Sequence, residues 1–226
     1  MLAVITTTLN EEKNIARLIT QVHEVLREDY VLVVVDDNSQ DMTQGIVKSM
    51  SVRYPVKLVA RPCKMGIASA IVDGIKFQKA DYYVIMEADL THPPIKLLQL
   101  RHFLKKYDLV VMSRYIKYGR IVGWPLTRRL VSFGANLISR PLTPIRDRTT
   151  GYIGFNARCI EGVELNPIGM HFGIELFVKG NYVSYKEIPY TFIHRIEGSS
   201  KFNCKECWIY LKHIWALYQF KVTHVE

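Results

Sequence analysis

Glu87 and Asp89 lie one residue apart at the end of the apolar run 82–86, and a His-Pro-Pro corner follows at 92–94. Like charges this close repel unless something positive sits beside or between them. Magnesium and manganese suit such a pair, because both take oxygen ligands, often one or two carboxylates plus phosphate oxygens. A second acidic tip, Asp36-Asp37, follows the apolar run 31–35. Its carboxylates can accept hydrogen bonds from a ribose or a base. A metal-bound diphosphate leaves readily, since the cation offsets the charge that develops on it. The two tips together describe a nucleotide-diphosphate site. A lone D-x-D occurs often by chance; this one gains weight from its place after an apolar run and from the second tip.

The elements that must position these residues are legible as alternation. The runs 2–7, 31–35, 56–59, 82–86 and 109–112 are short, apolar and rich in Val and Ile, as buried strands are. Between them Ile15, Leu18, Ile19, Val22 and Leu26 recur at helical spacing, as do Ile67, Ala70, Ile71 and Gly74. A further helix is expected after Pro93-Pro94, through Leu97 to Leu104. This order predicts an α/β fold with a mostly parallel sheet flanked by helices. Ligands bind outside the carboxyl ends of such strands, where T-T-T-L-N-E-E (6–12), D-D-N-S-Q-D (36–41) and E-A-D (87–89) fall. Asn10 and Asp41 each have a simpler reading as helix caps, but capping does not account for Asp36, Asp37, Glu87 and Asp89 together.

Beyond residue 113 the pattern changes. Gly119, Gly123 and Trp124-Pro125 interrupt the chain, a helix is expected from about Leu126 to Ser139, and 147–152 reads as a loop. A strand pair is expected within 182–193, followed by the polar stretch 194–202. The last segment carries Trp208, Leu211, Trp215, Tyr218 and Val222 as one stripe, with Lys205, Lys212 and Gln219 on another face. This amphipathic helix suits core packing and a membrane surface equally.

The 226 residues suffice for one sizeable core. Of the net charge of +9, a surplus of seven lies between Arg114 and Arg148, where eight Lys/Arg meet the single acid Asp147. A basic stretch attracts phosphates on nucleic acid, lipid or a small substrate, or is simply a solvated surface. No nucleic-acid module motif is present. No run of about 18 apolar residues exists, and the N-terminal residues do not read as a signal peptide. The four cysteines do not suggest a disulfide framework; Cys204-x-x-Cys207, a single CxxC without a partner pair, reads as two reduced thiols near a helix start, with zinc binding alongside other ligands or redox work as the alternative.

The segments T-L-N-E-E-K-N-I, V-V-V-D-D-N-S-Q-D-M-T, K-M-G-I-A-S-A, E-A-D-L-T-H-P-P, S-R-Y, W-P-L-T-R-R-L-V-S-F-G-A-N, R-D-R-T-T-G-Y, E-L-N-P-I-G, I-P-Y-T-F-I-H-R and G-S-S-K-F occur in that order. In them the chain resembles family-two, GT-A-type glycosyltransferases, and among these the dolichol-phosphate mannose synthases. The first four segments alone would indicate only a nucleotide-sugar transferase; the later ones are more specific. The resemblance covers nearly the whole chain. It implies a GT-A catalytic domain over 1–203 and an interfacial helix over 204–226.

The resemblance also implies roles. Thr8, Asn10, Glu11, Asp36 and Asp37 would hold the nucleotide, with Lys64 and Gly66 close by. Glu87, Ala88 and Asp89 would bind the diphosphate and a Mg2+ or Mn2+ ion. Arg114 and Arg128 would meet phosphates, and Arg195 and Lys201 would face the active site. The family's usual metal-motif Asp is Glu87 here, its usual Gln is Thr91, and its usual Pro and Tyr of the first loop are Thr7 and Leu9. Asp89 is then the direct metal ligand, Glu87 a direct or water-mediated one, and Thr91 a shorter third. The implied reaction is metal-dependent, inverting transfer of mannose from GDP-mannose to dolichyl or another polyprenyl phosphate, on the cytoplasmic side of a membrane. Attachment would be peripheral or through a small membrane-anchoring subunit. An ionised lipid phosphate needs no general base, and His92 reads as a turn residue. Glucosyl transfer from UDP-glucose and a non-catalytic nucleotide-sugar-binding subunit are the alternatives.

Overall fold

The computed structural model describes residues 1–193 and 204–224. Among the described residues, nine strands and seven α-helices follow in order. β1 (Leu2–Thr8), α1 (Glu12–Leu26), β2 (Tyr30–Asp36), α2 (Thr43–Met50), β3 (Val56–Ala60), α3 (Ile67–Phe77) and β4 (Tyr82–Glu87) form the N-terminal half. A short 3-10 turn leads into α4 (Leu97–Leu104), then β5 (Leu109–Ser113), β6 (Arg120–Val122), α5 (Leu126–Ile138) and β7 (Ile153–Asn156). α6 (Phe172–Lys179), β8 (Tyr185–Pro189), β9 (Thr191–Ile193) and α7 (Cys204–Thr223) complete it. The five strands expected from the apolar runs are all present, as are the helices expected after them.

Seven strands make one sheet in the order β3-β2-β1-β4-β7-β5-β8. β1, β2, β3 and β4 run parallel, and only β7 runs antiparallel to its neighbours β4 and β5. Connections from β1 lead to β2 and β3 on one side, while β4 lies on the other. The carboxyl ends of β1 and β4 therefore bound the crevice where such sheets bind ligands. Register places Thr8 opposite Asp36 and Thr7 opposite Glu87, so the end of β1 sits between the two acidic tips.

Alternation along the strands feeds two cores. Leu2, Val4, Leu32 and Val34 face α1, α2 and α4, while Ala3, Ile5, Val33 and Val35 face α3, α6 and α7. α1 buries the helical stripe Ile15, Leu18, Ile19, Val22 and Leu26, each such side chain contributing on the order of 2 kcal/mol. α3 lies so close to the sheet that Gly74 is required: a Cβ there would come within 2.8 Å of Ile5 and 2.9 Å of Val35.

The strands expected within 182–193 exist but do not pair with each other. β8 joins the main sheet beside β5, whereas β9 pairs with β6 in a separate two-stranded sheet. Pro189 ends β8 without an N–H for further pairing. Tyr190 then bridges both sheets, donating its N–H to Ser113 and accepting from the N–H of Arg120.

α5 and α7 depart from ordinary burial. α5 buries only Asn136 and exposes Leu126, Leu130, Phe133, Leu137 and Ile138. Its polar side faces inward instead: Ser132 accepts from the Tyr115 hydroxyl, and the Arg148 guanidinium caps the Asn136 carbonyl. α7 buries Tyr210, His213, Ile214 and Leu217 and leaves Trp208, Leu211, Trp215 and Val222 exposed. The aromatic stripe read from the sequence is thus the outward face, and core packing uses a different one. The two helices are tied together. Tyr210 and Tyr218 donate to the Ala135 and Ile138 carbonyls, and Lys221 to those of Pro141 and Leu142, satisfying carbonyls that a helix end leaves open.

Gly74→Val is expected to lower folding stability by at least about 2 kcal/mol through overpacking, read as a lower urea midpoint with an unchanged slope.

Candidate active site

The chain leaves β4 through a tight turn that aims its carboxylates. Leu90 takes a left-handed conformation, φ 64°. Thr91 donates its N–H to Asp89 Oδ1 at 3.0 Å. Its hydroxyl contacts Asp89 Oδ1 at 2.6 Å and Glu87 Oε2 at 3.2 Å. Both carboxylates therefore converge on one hydroxyl. His92 Nδ1 accepts the Glu87 N–H at 3.0 Å, and its ring stacks on Tyr152 at 4.7 Å. Burial holds the His92 pKa below the ordinary histidine value, against the opposing pull of Glu87 and Asp89. It is a turn residue, as its sequence context suggests.

This donor set fits a hard divalent cation. Two carboxylates meet at one point, and no cluster of three His, Cys, Asp or Glu that could hold a metal occurs among the described residues. A magnesium or manganese ion here would draw its remaining ligands from phosphate oxygens and water, as such ions usually do. Thr91 serves the two carboxylates as an orienting hydroxyl.

The second acidic tip is differently engaged. Asp36 accepts from the Thr8 and Ser39 hydroxyls, the Ser39 N–H and Gln44 Nε2. Asp37 accepts from Arg61 Nη1 at 2.9 Å and from the N–H groups of Met65 and Gly66. Both are buried. They hold the crevice edge and the 64–66 loop in place. Asn10 adopts φ 58° and bonds to Ser39 and Gln40, locking the first loop against the second. Asp41 is not itself an N-cap, since Met42 and Glu11 hold those positions, but it accepts from the N–H of Thr43 and of Glu12, the first residues of α2 and α1. Lys64 is exposed on the same edge.

A cavity of about 480 Å³ opens from these tips. Its lining includes the acidic and polar Glu11, Glu87, Asp89 and Thr91, the cations Arg114 and Arg128 with Trp124, and the apolar Val131, Ile138, Tyr210 and Leu211. Thr8, Asn10, Asp36, Asp37, Lys64 and Gly66 lie at the neighbouring edge rather than in its lining. Arg195 and Lys201 fall outside the described residues.

Arg114 is not a simple surface cation. Its guanidinium makes a two-pronged contact with Asp147, Nε to Oδ2 at 2.8 Å and Nη2 to Oδ1 at 2.7 Å, and Nη2 also reaches Thr149. Burial disfavours the charge, but Asp147 more than offsets this and keeps the Arg114 pKa above its ordinary value. Arg114 thus borders the cavity as a fixed, largely neutralised wall. Arg128 packs 4.2 Å above the Trp124 ring, which Arg114 approaches at 5.3 Å. Arg61, Trp124 and Asp147 escaped the sequence reading as site residues. Asp147 had a signal, being the one acid in a stretch of eight bases; Arg61 had none.

Residues 3–162 match the family model for glycosyl transferase family 2. The chain belongs to that family. This family-two chain is 37% identical over 225 residues to a dolichol-phosphate mannosyltransferase of Pyrococcus furiosus, covering 97% of itself and 64% of that protein. It therefore spans a little under two thirds of the archaeal relative's length. It is 32% identical over 233 residues to the dolichol-phosphate mannosyltransferase of Saccharomyces cerevisiae, covering 97% of itself and 87% of the yeast protein. In fold it resembles glucosyl-3-phosphoglycerate synthase of Mycobacterium tuberculosis, solved with Mn2+, UDP and glucosyl-3-phosphoglycerate, at a TM-score of 0.70 and 17% identity. That alignment covers 100% of this chain and 81% of the other. The α/β sheet with flanking helices is the GT-A fold of that neighbour. No helix among the described residues is long and apolar enough to cross a membrane.

His171 borders the cavity, and burial, with His213 and Arg114 nearby, lowers its pKa from 6.5 to about 4. The unfolded chain then takes up a proton that the folded one refuses, so stability falls as pH drops from about 6.5 to about 4. His171→Gln is expected to flatten that part of the stability profile, measured by urea denaturation at stepped pH.

Proposed function

We propose that this chain transfers mannose from GDP-mannose to a polyprenyl phosphate of the dolichyl type, with inversion and with a divalent cation bound. The carrying observation is the lining of one cavity, which brings together the paired carboxylates Glu87 and Asp89, the arginines Arg114 and Arg128, and apolar residues of α5 and α7. A metal-bound nucleotide diphosphate suits the carboxylates, a phosphate the arginines, and a polyprenyl chain the apolar residues. The names of the curated relatives, dolichol-phosphate mannosyltransferase, support the same acceptor and sugar.

The acceptor phosphate is already ionised near neutral pH, so a proton acceptor is unnecessary. Arg128 holds that phosphate by charge-assisted hydrogen bonds, and Arg114, oriented by Asp147, keeps the adjoining wall rigid. Asp89 and Glu87, aligned by Thr91, present oxygens toward the donor diphosphate. A bound Mg2+ or Mn2+ would supply Lewis-acid stabilisation to the departing nucleoside diphosphate. On the family resemblance, Lys201 stabilises the same leaving group, Arg195 faces the active site, and Thr8, Asn10, Glu11, Asp36 and Asp37 hold the nucleotide, with Lys64 and Gly66 close by. Held in line, an acceptor oxygen attacks the anomeric carbon opposite the leaving diphosphate, and proximity supplies much of the acceleration.

The outward faces of α5 and α7 support a bilayer as the surface on which this happens. Leu130, Phe133, Trp208 and Trp215 are exposed, with Arg129, Arg140 and Lys212 also exposed on these segments. Apolar and aromatic side chains beside cations suit an anionic headgroup boundary.

Labelled mannose should pass from GDP-mannose to dolichyl phosphate with manganese or magnesium and cease with EDTA. Asp89→Ala is expected to lower kcat by about a thousandfold, and Arg128→Ala chiefly to raise the acceptor KM by about tenfold. Normal turnover of Asp89→Ala with metal present would overturn the site assignment. Transfer from UDP-glucose instead would keep the mechanism and overturn the sugar. Silence with both donors would favour a non-catalytic subunit or a required partner.

Flotation with vesicles containing anionic lipid checks the surface. Phe133→Glu with Trp215→Glu is expected to weaken partitioning by about tenfold or more.

A further inference from the structure

One wall of the cavity belongs to α7, through Glu206, Cys207, Tyr210 and Leu211. What seats that wall is a buried polar contact one turn behind it. His213 Nε2 meets Glu175 Oε2 at 2.5 Å, and both side chains are 1% exposed. The other Glu175 oxygen accepts from Lys179 Nζ at 2.6 Å and from the Asn166 N–H at 3.0 Å. His213 Nδ1 is buried with no hydrogen-bond partner, so the Glu175 contact is the ring's polar anchor. The carboxylate stays ionised, because these hydrogen bonds outweigh the opposing effect of burial and hold its pKa below the usual range.

Glu175 thereby joins three segments: α6, which carries it; the 164–169 loop, through Asn166; and α7, through His213. The loop is also clamped from both sides. Gly169, at φ 79°, lies so near α7 that a Cβ would come within 2.6 Å of Ile209 Cγ2. Its carbonyl accepts the Ala68 N–H at the start of α3, two residues after the Gly66 that bonds Asp37. Hydrogen bonds from Tyr210, Tyr218 and Lys221 already tie α7 to α5 and to residues 141–142. The short, buried Glu175–His213 contact adds the tie to α6 and to the 164–169 loop, and a directional bond from a buried ring fixes the helix's rotation there.

We propose that Glu175 and His213 are positioning residues that set the rotation of α7, and with it the wall against which the lipid-phosphate acceptor lies. This rests on the acceptor proposed above. Neither side chain is among the cavity-lining residues, so their effect is indirect.

The test uses His213→Ala and His213→Gln in the full chain, because removing Glu175 would also break its contacts with Lys179 and Asn166 and so confound the effect on α7. The Gln amide can still donate to Glu175; Ala cannot. His213→Ala is expected to raise the acceptor KM by about tenfold while the GDP-mannose KM stays within about twofold, with Gln restoring most of the loss. Amide exchange over 206–217 should quicken in the Ala variant. An unchanged acceptor KM, an equal rise in both KM values, or Gln behaving like Ala overturns the proposal. Should the wild-type chain transfer no sugar from either donor, that result bears on the proposed function and not on this inference. The latch is then judged by binding of micelles loaded with polyprenyl phosphate: weaker binding by His213→Ala than by wild type or His213→Gln supports it, and equal binding overturns it.

Discussion

The buried ion pair between Arg114 and Asp147 is the interaction on which the second half of the site hangs. Asp147 accepts from the backbone N–H of Arg114 as well as from its guanidinium, so it fixes the end of β5 and the 147–151 loop to each other. Thr149 then reaches Arg114 and Asn136, and Arg148 caps the carbonyl of Asn136 on α5. A helix that turns its apolar residues outward cannot be held by hydrophobic burial, and this polar scaffold does the holding. Breaking a buried pair by removing one partner typically costs about 3–5 kcal/mol, because the remaining charge is left without water or a counter-ion. The loss would fall on α5, and so on Arg128 and the cavity it borders.

The two halves of the crevice solve opposite electrostatic problems. At the β4 end, Glu87 and Asp89 converge on one hydroxyl, an arrangement that like charges resist unless a cation joins them. At the β2 end, Asp36 and Asp37 are satisfied by the protein's own donors, Arg61 among them. The acids that look equivalent in sequence thus divide into a pair that converges on the Thr91 hydroxyl and a pair held by donors of neighbouring segments. Arg114 and Arg128 divide similarly: one is matched by a buried carboxylate, while the other lies over an indole face at the cavity.

α7 shows how a single helix can serve two surfaces. Its inner residues join the core that covers one face of the sheet, and its outer Trp208 and Trp215 stay exposed. A stripe of large apolar residues usually marks the buried face of a helix. Here the buried face is the less conspicuous one, built from Tyr210, His213, Ile214 and Leu217, with polar atoms that find partners on α5 and α6.

Much of this was legible in the residues alone. Runs of Val and Ile fix strands by local periodicity, and the runs at 2–7, 31–35, 56–59, 82–86 and 109–112 became strands within a residue or two of their expected ends. The acidic tips follow, since in a parallel sheet the residue after each strand is delivered to the same edge. Arg61, Trp124 and Asp147 were not legible as site residues, because a side chain's partner across 24 or 33 residues is a matter of three-dimensional approach rather than spacing. The same holds for β8 and β9, whose partners are distant strands and not each other. Composition and period determined which elements form and which chemistry they carry to the edge. Only tertiary packing decided which charges are neutralised inside the protein, which remain for a ligand, and which faces of α5 and α7 look outward, because those outcomes depend on what lies opposite each side chain.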